Sequence, residues 1–186
     1  MLDSAFFNRP TPTVARDLIG CLLVRELRGR PRTGRIVETE AYDGFHDAAS
    51  HAHRGMTPRN AVMFGPPGQA YVYIIYGMHH CLNLVTREEG YPAAVLIRAL
   101  EPVEGSPLEP SHGPGRLTRA LKIDRRQNGL PVTRPPLYLE PPATPVRRVV
   151  STARIGVDYA GQWAAKRWRF VDPASAHLSV KLGRRH

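Results

Sequence analysis

The segment GRIVETEAY at 34–42 holds the clearest candidates for catalysis. If it is a strand, its side chains alternate between two faces. One face then carries Ile36, Glu38, Glu40 and Tyr42. Burying a carboxylate is costly, so two of them on an apolar-flanked face call for a reason such as acid–base catalysis. The alternative is a pair of surface glutamates that neutralise nearby arginines, and the pattern alone fits both.

A second group of candidates lies in YVYIIYGMHHCLN, residues 71–83. This segment is rich in β-branched and aromatic residues, which favours a strand. Tyr76 stands directly before Gly77, so we expect it at a turn. An exposed aromatic ring at a hairpin tip can wedge into a stack of bases. The alternative is that the tyrosines only pack the sheet, and for Tyr71 we expect this.

The composition argues for a water nucleophile and against a cofactor. No HExxH or paired CxxC accompanies the histidines at 51–53 and 79–80. GxGxxG, P-loop and GxSxG motifs are also missing, so we expect no metal and no cofactor. No lysine occurs before Lys122, which leaves few amine nucleophiles. A metal-dependent nuclease or hydrolase that uses the histidines stays an alternative, and sensitivity to a chelator would reveal it.

The charge points to a polyanionic partner. The formal net charge is +10, and 23 of the 26 basic residues are arginines. The planar guanidinium suits phosphate oxygens and stacks on bases, so nucleic acid is the expected partner. A non-enzymatic nucleic-acid-binding module is the second alternative. It would not explain Glu40 on an apolar-flanked strand, because a carboxylate repels the phosphate backbone.

These residues must be positioned by a small mixed fold. The patterns predict strands at 21–27, 34–42, 70–76, 81–86 and 93–100, and helices at 11–20 and 113–124. Residues 127–146 carry many prolines and are expected to be an irregular connector, and 182–186 a basic tail. We therefore predict one α+β domain over 1–186, built on a curved, mostly antiparallel sheet with short helices.

No targeting or membrane segment is evident. Residues 1–10 lack a basic region followed by an apolar stretch, and no run approaches the roughly 18 apolar residues that span a bilayer. Cys21 and Cys81 form no CxxC pair, and Cys21 lies in an apolar run that predicts burial. We expect a protein of the reducing cytoplasm, associated with the nucleoid and without membrane contact.

Several longer motifs together resemble the alkyladenine (3-methyladenine) DNA glycosylase family, in its bacterial branch. They occur in the family's order through nearly the whole chain: VETEAY (37–42), TPRNAVMFGPPG (57–68), YVYIIYGMHHCLN (71–83), VLIRALEP (95–102), GPGRLTRAL (113–121) and RIGVDYAG (154–161). The resemblance implies a monomeric, metal-free, monofunctional enzyme that acts on damaged double-stranded DNA. It would flip out and hydrolyse off alkylated or deaminated purines (3-methyladenine, 7-methylguanine, and also hypoxanthine or ethenoadenine), leaving an abasic site.

The resemblance also implies roles inside the pocket. Glu40, the second glutamate of VETEAY, corresponds to the general base that activates water. Tyr42 and Tyr73 correspond to aromatic walls of the base pocket, and His51 to the pocket histidine. Asn83 corresponds to the asparagine that screens out guanine by its exocyclic amine.

Three further residues are implied in DNA binding. Tyr76 corresponds to the side chain that fills the space left by the flipped base, and Met78 and Arg98 to DNA contacts, Arg98 near the backbone of the flipped nucleotide. Two departures from the pattern bear on these roles. Histidines follow Met78 where relatives often have bulky aromatics, and His46 or His53 could take the place assigned to the pocket histidine.

Overall fold

An antiparallel sheet forms the body of the protein, of which the computed structural model describes residues 1–183. Residues 184–186, with most of the predicted basic tail, lie outside this part. The ten strands within it are β1 (Leu22–Leu27), β2 (Arg30–Asp43), β3 (Ala70–Ile75), β4 (His79–Val85), β5 (Ala93–Pro102), β6 (Ser111–His112), β7 (Thr133–Arg134), β8 (Leu137–Glu140), β9 (Val150–Thr152) and β10 (Arg169–Val171). Every predicted strand is present.

The helices are short, as predicted. They are α1 (Ser4–Phe7), α2 (Thr11–Asp17) and α3 (Pro114–Ala120), with 3₁₀ segments at Ala61–Phe64, Arg125–Gln127 and Asp158–Ala165. The segment Asp158–Ala165 is interrupted at Gly161, which has a φ of 57°. No helix of the described residues has the length and hydrophobicity that crossing a membrane requires.

The sheet curls into an antiparallel half-barrel, and this confirms the predicted fold class. The strand order is β3-β4-β5-β2-β1-β8-β7, while β6 pairs with β5, and β10 pairs with both β2 and β9. The long strand β2 is therefore central, with β5 on one side and β1 and β10 on the other. The main core packs α2 and α3 against the sheet.

A β-bulge in β2 corrects the predicted face of this strand. The pairing with β5 shifts register between Ile36 and Glu38 and again between Glu38 and Thr39. One extra residue in a strand reverses which face the preceding side chains occupy. Ile36 accordingly packs in the main core together with Ala41, although it was predicted to share a face with Glu38. The bulge lies directly before the catalytic candidates.

The predicted connector 127–146 contains two strands that sequence reasoning missed. β7 and β8 pair antiparallel across Pro135 and Pro136. The alternation of β8 was readable, since Leu137 and Leu139 are fully buried while Tyr138 between them is not. The surrounding prolines hid it, because proline is depleted in strands.

Candidate active site

A cavity of about 330 Å³ opens between the strands β2 to β5 and two loops, 44–56 and 153–160. Its size lies in the range of small-molecule sites, about 300–1,000 Å³. Of the residues predicted from the sequence, six line it: Tyr42, His51, Tyr73, Tyr76, Asn83 and Arg98. Glu40 is hydrogen bonded to two of these, and Met78 lies outside at the hairpin tip. The structure therefore brings the predicted residues to one place.

Glu40 is fully buried, and both of its carboxylate oxygens accept hydrogen bonds. The Tyr42 hydroxyl donates to Oε2 over 2.8 Å, and Arg98 Nη1 donates to the same oxygen over 3.2 Å. The Ile155 amide donates to Oε1 over 2.8 Å. Tyr42, Arg98 and Ile155 all line the cavity, so the Glu40 carboxylate lies behind its wall, although Glu40 itself is not among the lining residues.

Burial raises the pKa of Glu40 above its ordinary value, and this outweighs the opposing effects of Arg98 and the two neutral donors. A carboxyl with a raised pKa is a stronger base when ionised, which suits general-base catalysis near neutral pH. The pKa of Tyr42 is raised well above 10 by burial and by the Glu40 charge, so its hydroxyl keeps the proton that it donates.

Glu38 is buried in a different electrostatic environment. Arg169 Nε donates to it over 2.7 Å and Arg98 Nε over 3.0 Å, and the Ser179 amide and hydroxyl donate over 2.6 and 2.7 Å. Burial acts to raise its pKa, but the hydrogen bonds from Arg169 and Ser179 outweigh it and the pKa is lowered. Glu38 is thus not a surface glutamate. It is a buried carboxylate that is paired with Arg169 and Arg98 and is not available as a catalytic base.

Arg98 connects the two glutamates. Its Nε and Nη1 are occupied by Glu38 and Glu40, and its side chain is only 10% exposed. The remaining nitrogen, Nη2, has a long contact of 3.4 Å with the Ser179 hydroxyl. The contact of Arg98 with the DNA backbone therefore stays a prediction, and only the N–H groups of Nη1 and Nη2 that the glutamates leave free could make it.

Aromatic rings form one wall of the cavity. The His51 ring stands edge-on to Tyr73 with centroids 4.5 Å apart, and its Nδ1 lies 3.0 Å from the Tyr71 hydroxyl. Burial, and then the charge of Arg59, lower the pKa of His51, which keeps the imidazole neutral at pH 7. Tyr71 itself is 1% exposed and packs in the sheet as expected, but it also lines the cavity.

The other loop histidines do not reach the cavity. His53 lies 2.7 Å by Nδ1 from the Phe45 carbonyl oxygen, and His46 is exposed. Neither belongs to the cavity wall, whereas His51 does. Among the three alternatives, the structure therefore places His51 beside Tyr73.

The turn between β3 and β4 projects two apolar side chains into solvent. Tyr76 is 87% exposed and has a φ of 50°, and Met78 is 70% exposed. A positive φ takes Tyr76 out of the strand alternation, so it reaches the cavity rim that Tyr73 and Ile75 also line. An aromatic side chain at such a tip is available to a partner and contributes little to the core.

Asn83 lies on the floor of the cavity, in β4 opposite Tyr71. It is 4% exposed, and its Nδ2 donates to the Tyr71 carbonyl oxygen over 3.2 Å. This bond fixes the orientation of the amide. A fixed polar group on a cavity floor can discriminate between ligands that differ by one donor or acceptor.

The loop 153–160 supplies residues that sequence reasoning did not select. Ile155, Gly156, Val157 and Tyr159 all line the cavity. Tyr159 is 73% exposed, and its hydroxyl donates over 3.5 Å to the carbonyl oxygen of Ala49 in the opposite loop. The block RIGVDYAG marked this segment, but no side chain in it has a spacing that indicates chemistry.

Within residues 1–183, no three His, Cys, Asp or Glu side chains come together in a way that could hold a metal ion. The cavity offers aromatic rings, one amide and the Arg98 guanidinium, which is hydrogen bonded to the buried Glu40 carboxylate behind the wall. It can hold a planar ring close to a carboxylate base. With an exposed aromatic side chain at its rim, this is the arrangement of an enzyme that acts on a base taken out of a nucleic-acid stack.

Comparison with known proteins agrees with that class. The family model described as "Methylpurine-DNA glycosylase (MPG)" matches residues 5–176. A "Putative 3-methyladenine DNA glycosylase" of Myxococcus xanthus is 55% identical over 181 residues, covering 96% of this chain and 93% of the relative. Relatives with the same name from Methanocella arvoryzae (97% and 96% covered) and Desulfitobacterium hafniense (97% and 98% covered) are 53% and 44% identical. The chain belongs to the methylpurine-DNA glycosylase family.

Proposed function

We propose that the protein releases 3-methyladenine and related damaged purines from double-stranded DNA by hydrolysis of the N-glycosidic bond, with Glu40 as the general base. The observation that carries this proposal is the buried Glu40 carboxylate, which has a raised pKa and is held beside an aromatic-walled cavity. As a member of its family the protein is a DNA-3-methyladenine glycosylase of base excision repair.

The reaction balances without a metal or cofactor. Water attacks the sugar carbon C1′ and gives its proton to Glu40, while the C1′–N9 bond breaks. In 3-methyladenine the base carries a positive charge, so it takes the bonding electron pair and leaves as a neutral molecule. An abasic site remains. Neutral lesions such as hypoxanthine or ethenoadenine also need a proton at the leaving base.

The aromatic wall favours cationic bases. A cation over the face of a tyrosine ring gains about 0.5–2 kcal/mol, and neutral undamaged bases lack this term. Tyr42 and Tyr73 supply the rings, and the neutral His51 adds no repelling charge. Asn83 would then exclude guanine through its 2-amino group.

The lesion has to leave the duplex to enter the cavity, which costs a few kcal/mol. Tyr76 would offset this cost by filling the vacated stack, with Met78 beside it against the neighbouring bases. Arg98 would contact the backbone of the flipped nucleotide. We further propose that residues 1–186 act as one domain and as a monomer, in the cytoplasm and on the nucleoid.

The test is the identity of the product. Duplex DNA treated with a methylating agent should release free 3-methyladenine and 7-methylguanine on incubation with the protein, and the strands should break only after alkali. Addition of a chelator should leave the rate unchanged. Strand breakage without alkali, or loss of activity with chelator, would instead support the metal-dependent nuclease. Binding without any base release would support the non-enzymatic binding module.

A further inference from the structure

A buried ion pair joins the two loops that border the cavity. Arg154 Nη1 lies 2.5 Å from Asp47 Oδ2, and Nη2 lies 2.8 Å from Oδ1. Both side chains are fully buried. A bidentate pair of this kind fixes geometry as well as charge. Desolvating two charges offsets most of their attraction, so a buried pair contributes little net stability. Stability alone therefore does not explain why this pair is present.

The pair ties three segments of the active site together. Arg154 also donates from Nη1 to the carbonyl oxygen of Ala41, next to the catalytic candidates on β2, over 2.9 Å. From Nη2 it donates over 3.1 Å to the carbonyl oxygen of Trp163, beyond the second loop. Asp47 in turn accepts from the Ala49 amide over 3.1 Å, two residues before the cavity histidine.

Both neutral hydrogen-bond donors of Glu40 are adjacent to Arg154. The Arg154 guanidinium lies 4.8 Å from the centre of the Tyr42 ring, whose hydroxyl donates to Oε2. Ile155 is the next residue in the chain, and its amide donates to Oε1. The Tyr42 ring thus stacks on the Arg154 guanidinium, and the Ile155 amide is bonded directly to Arg154 in the backbone.

We propose that the Arg154–Asp47 pair positions the general base, by holding the Tyr42 hydroxyl and the Ile155 amide on the two oxygens of Glu40. Neither member of the pair contacts a reacting atom, so both are positioning residues. This inference rests on the proposed role of Glu40 as the base.

Loss of the pair should leave a recognisable change in pH dependence. The groups that face Glu40 are Arg98 from β5, Tyr73 from β3, Cys81 from β4, the Ile155 amide, and Glu38 and Tyr42 from its own strand. The Ile155 and Tyr42 bonds lower the pKa of Glu40. When they are lost the pKa rises further, so the acid limb of the rate profile moves to higher pH. Part of the lost rate should return on raising the pH.

The decisive variant removes both charges, because replacing a buried ion pair with apolar side chains is often tolerated. In Arg154→Met/Asp47→Leu the single-turnover release of 3-methyladenine should fall about 10²-fold at pH 7, the loss expected from misplaced catalytic groups. Affinity for lesion-containing duplex should change much less. Arg154→Lys keeps the charge without the fork, and it should show the same acid-limb shift with a smaller loss of rate.

Arg35→Lys is the control for loss of an ion-paired guanidinium away from the cavity. Arg35 is more exposed than Arg154, and it pairs with Asp172 over 2.6 Å and with Glu101 over 2.5 Å; none of these three residues lines the cavity. Its rate and pH profile should match those of the unmodified protein. Equal losses in Arg35→Lys and Arg154→Lys would overturn the inference in favour of general destabilisation.

The outcomes separate this inference from the proposed function. If the double variant folds and releases base at the unmodified rate with its acid limb in place, the pair is merely structural and the inference is wrong. If the double variant does not fold, the single-turnover rate and the acid limb of Arg154→Lys decide between the same two outcomes. Full activity of Glu40→Gln would overturn the proposed function, whatever the pair variants do.

Discussion

Replacing the two buried glutamates by glutamine should change the stability of the fold in opposite directions. The ionised form of Glu38 is favoured by the fold, since Arg169, Arg98 and Ser179 all donate to it. Glu38→Gln leaves two buried guanidinium groups short of a counter-charge, and breaking a buried pair costs about 3–5 kcal/mol. In a domain of this size that corresponds to a fall of roughly 6–20 °C in melting temperature.

Glu40→Gln should keep or raise the melting temperature. The pKa of Glu40 is raised chiefly by burial, so ionisation of this carboxyl at pH 7 opposes folding. The glutamine removes that charge, while Arg98 keeps its bond to Glu38. The carboxylate of Glu40 would then be retained for its chemistry at some cost to stability.

Thermal unfolding of the three proteins at a series of pH values measures both effects. The stabilisation by ionised Glu38 is present above the pKa that it has in the unfolded chain, and it is lost as the pH falls through its lowered pKa in the folded protein. The difference in melting temperature between Glu38→Gln and the unmodified protein should therefore become smaller in acid. The penalty of Glu40 disappears as the pH falls through its raised pKa. A Glu40→Gln protein that melts as low as Glu38→Gln would refute this account of the two environments.

The remaining predictions concern DNA. Tyr76→Ala should weaken lesion recognition by about 1–3 kcal/mol, the value of one base–aromatic stack, while Tyr76→Phe should retain it. A fluorescent base analogue opposite the lesion reports flipping, and equal signals with the Tyr76→Ala variant and the unmodified protein would contradict the wedge role. Asn83→Ser should raise release of undamaged guanine without loss of methylated purines, as measured by free-base chromatography. The affinity for undamaged duplex should fall with salt, each neutralised phosphate adding about −0.9 to the slope of log binding constant against log salt concentration. The double variant Arg116→Gln/Arg119→Gln should have a shallower slope. An affinity of the unmodified protein that does not change with salt would contradict this prediction.

Much of the site could be predicted because its residues lie within short, strongly patterned segments. Alternation along VETEAY put Glu38, Glu40 and Tyr42 on one face, and the structure keeps these three on the cavity side of β2. Gly77 after Tyr76 marked the hairpin turn, and the turn lies there. Local pattern was enough because strand geometry and turn geometry are set by neighbours in sequence.

The rest depends on contacts between residues far apart in the chain. The bulge at Val37 reverses the face of Ile36, and no local signal distinguishes a bulged strand from a regular one. Asp47 and Arg154 are 107 residues apart, so their pairing is set by how β2 and the two loops pack. The different environments of Glu38 and Glu40 likewise come from Arg169 and Ser179, which only the tertiary fold brings to one of them.

Single-turnover release of 3-methyladenine by Glu40→Gln tests the central claim most directly. Glutamine keeps the shape of the side chain but cannot accept the proton of water, so the rate should fall about 10²–10⁴-fold while the protein melts normally and still binds lesion-containing duplex. The rate of the unmodified protein should decline as the pH falls through the raised pKa of Glu40, and the residual rate of the variant should not follow that decline. A folded Glu40→Gln protein that releases base at the unmodified rate would contradict the claim.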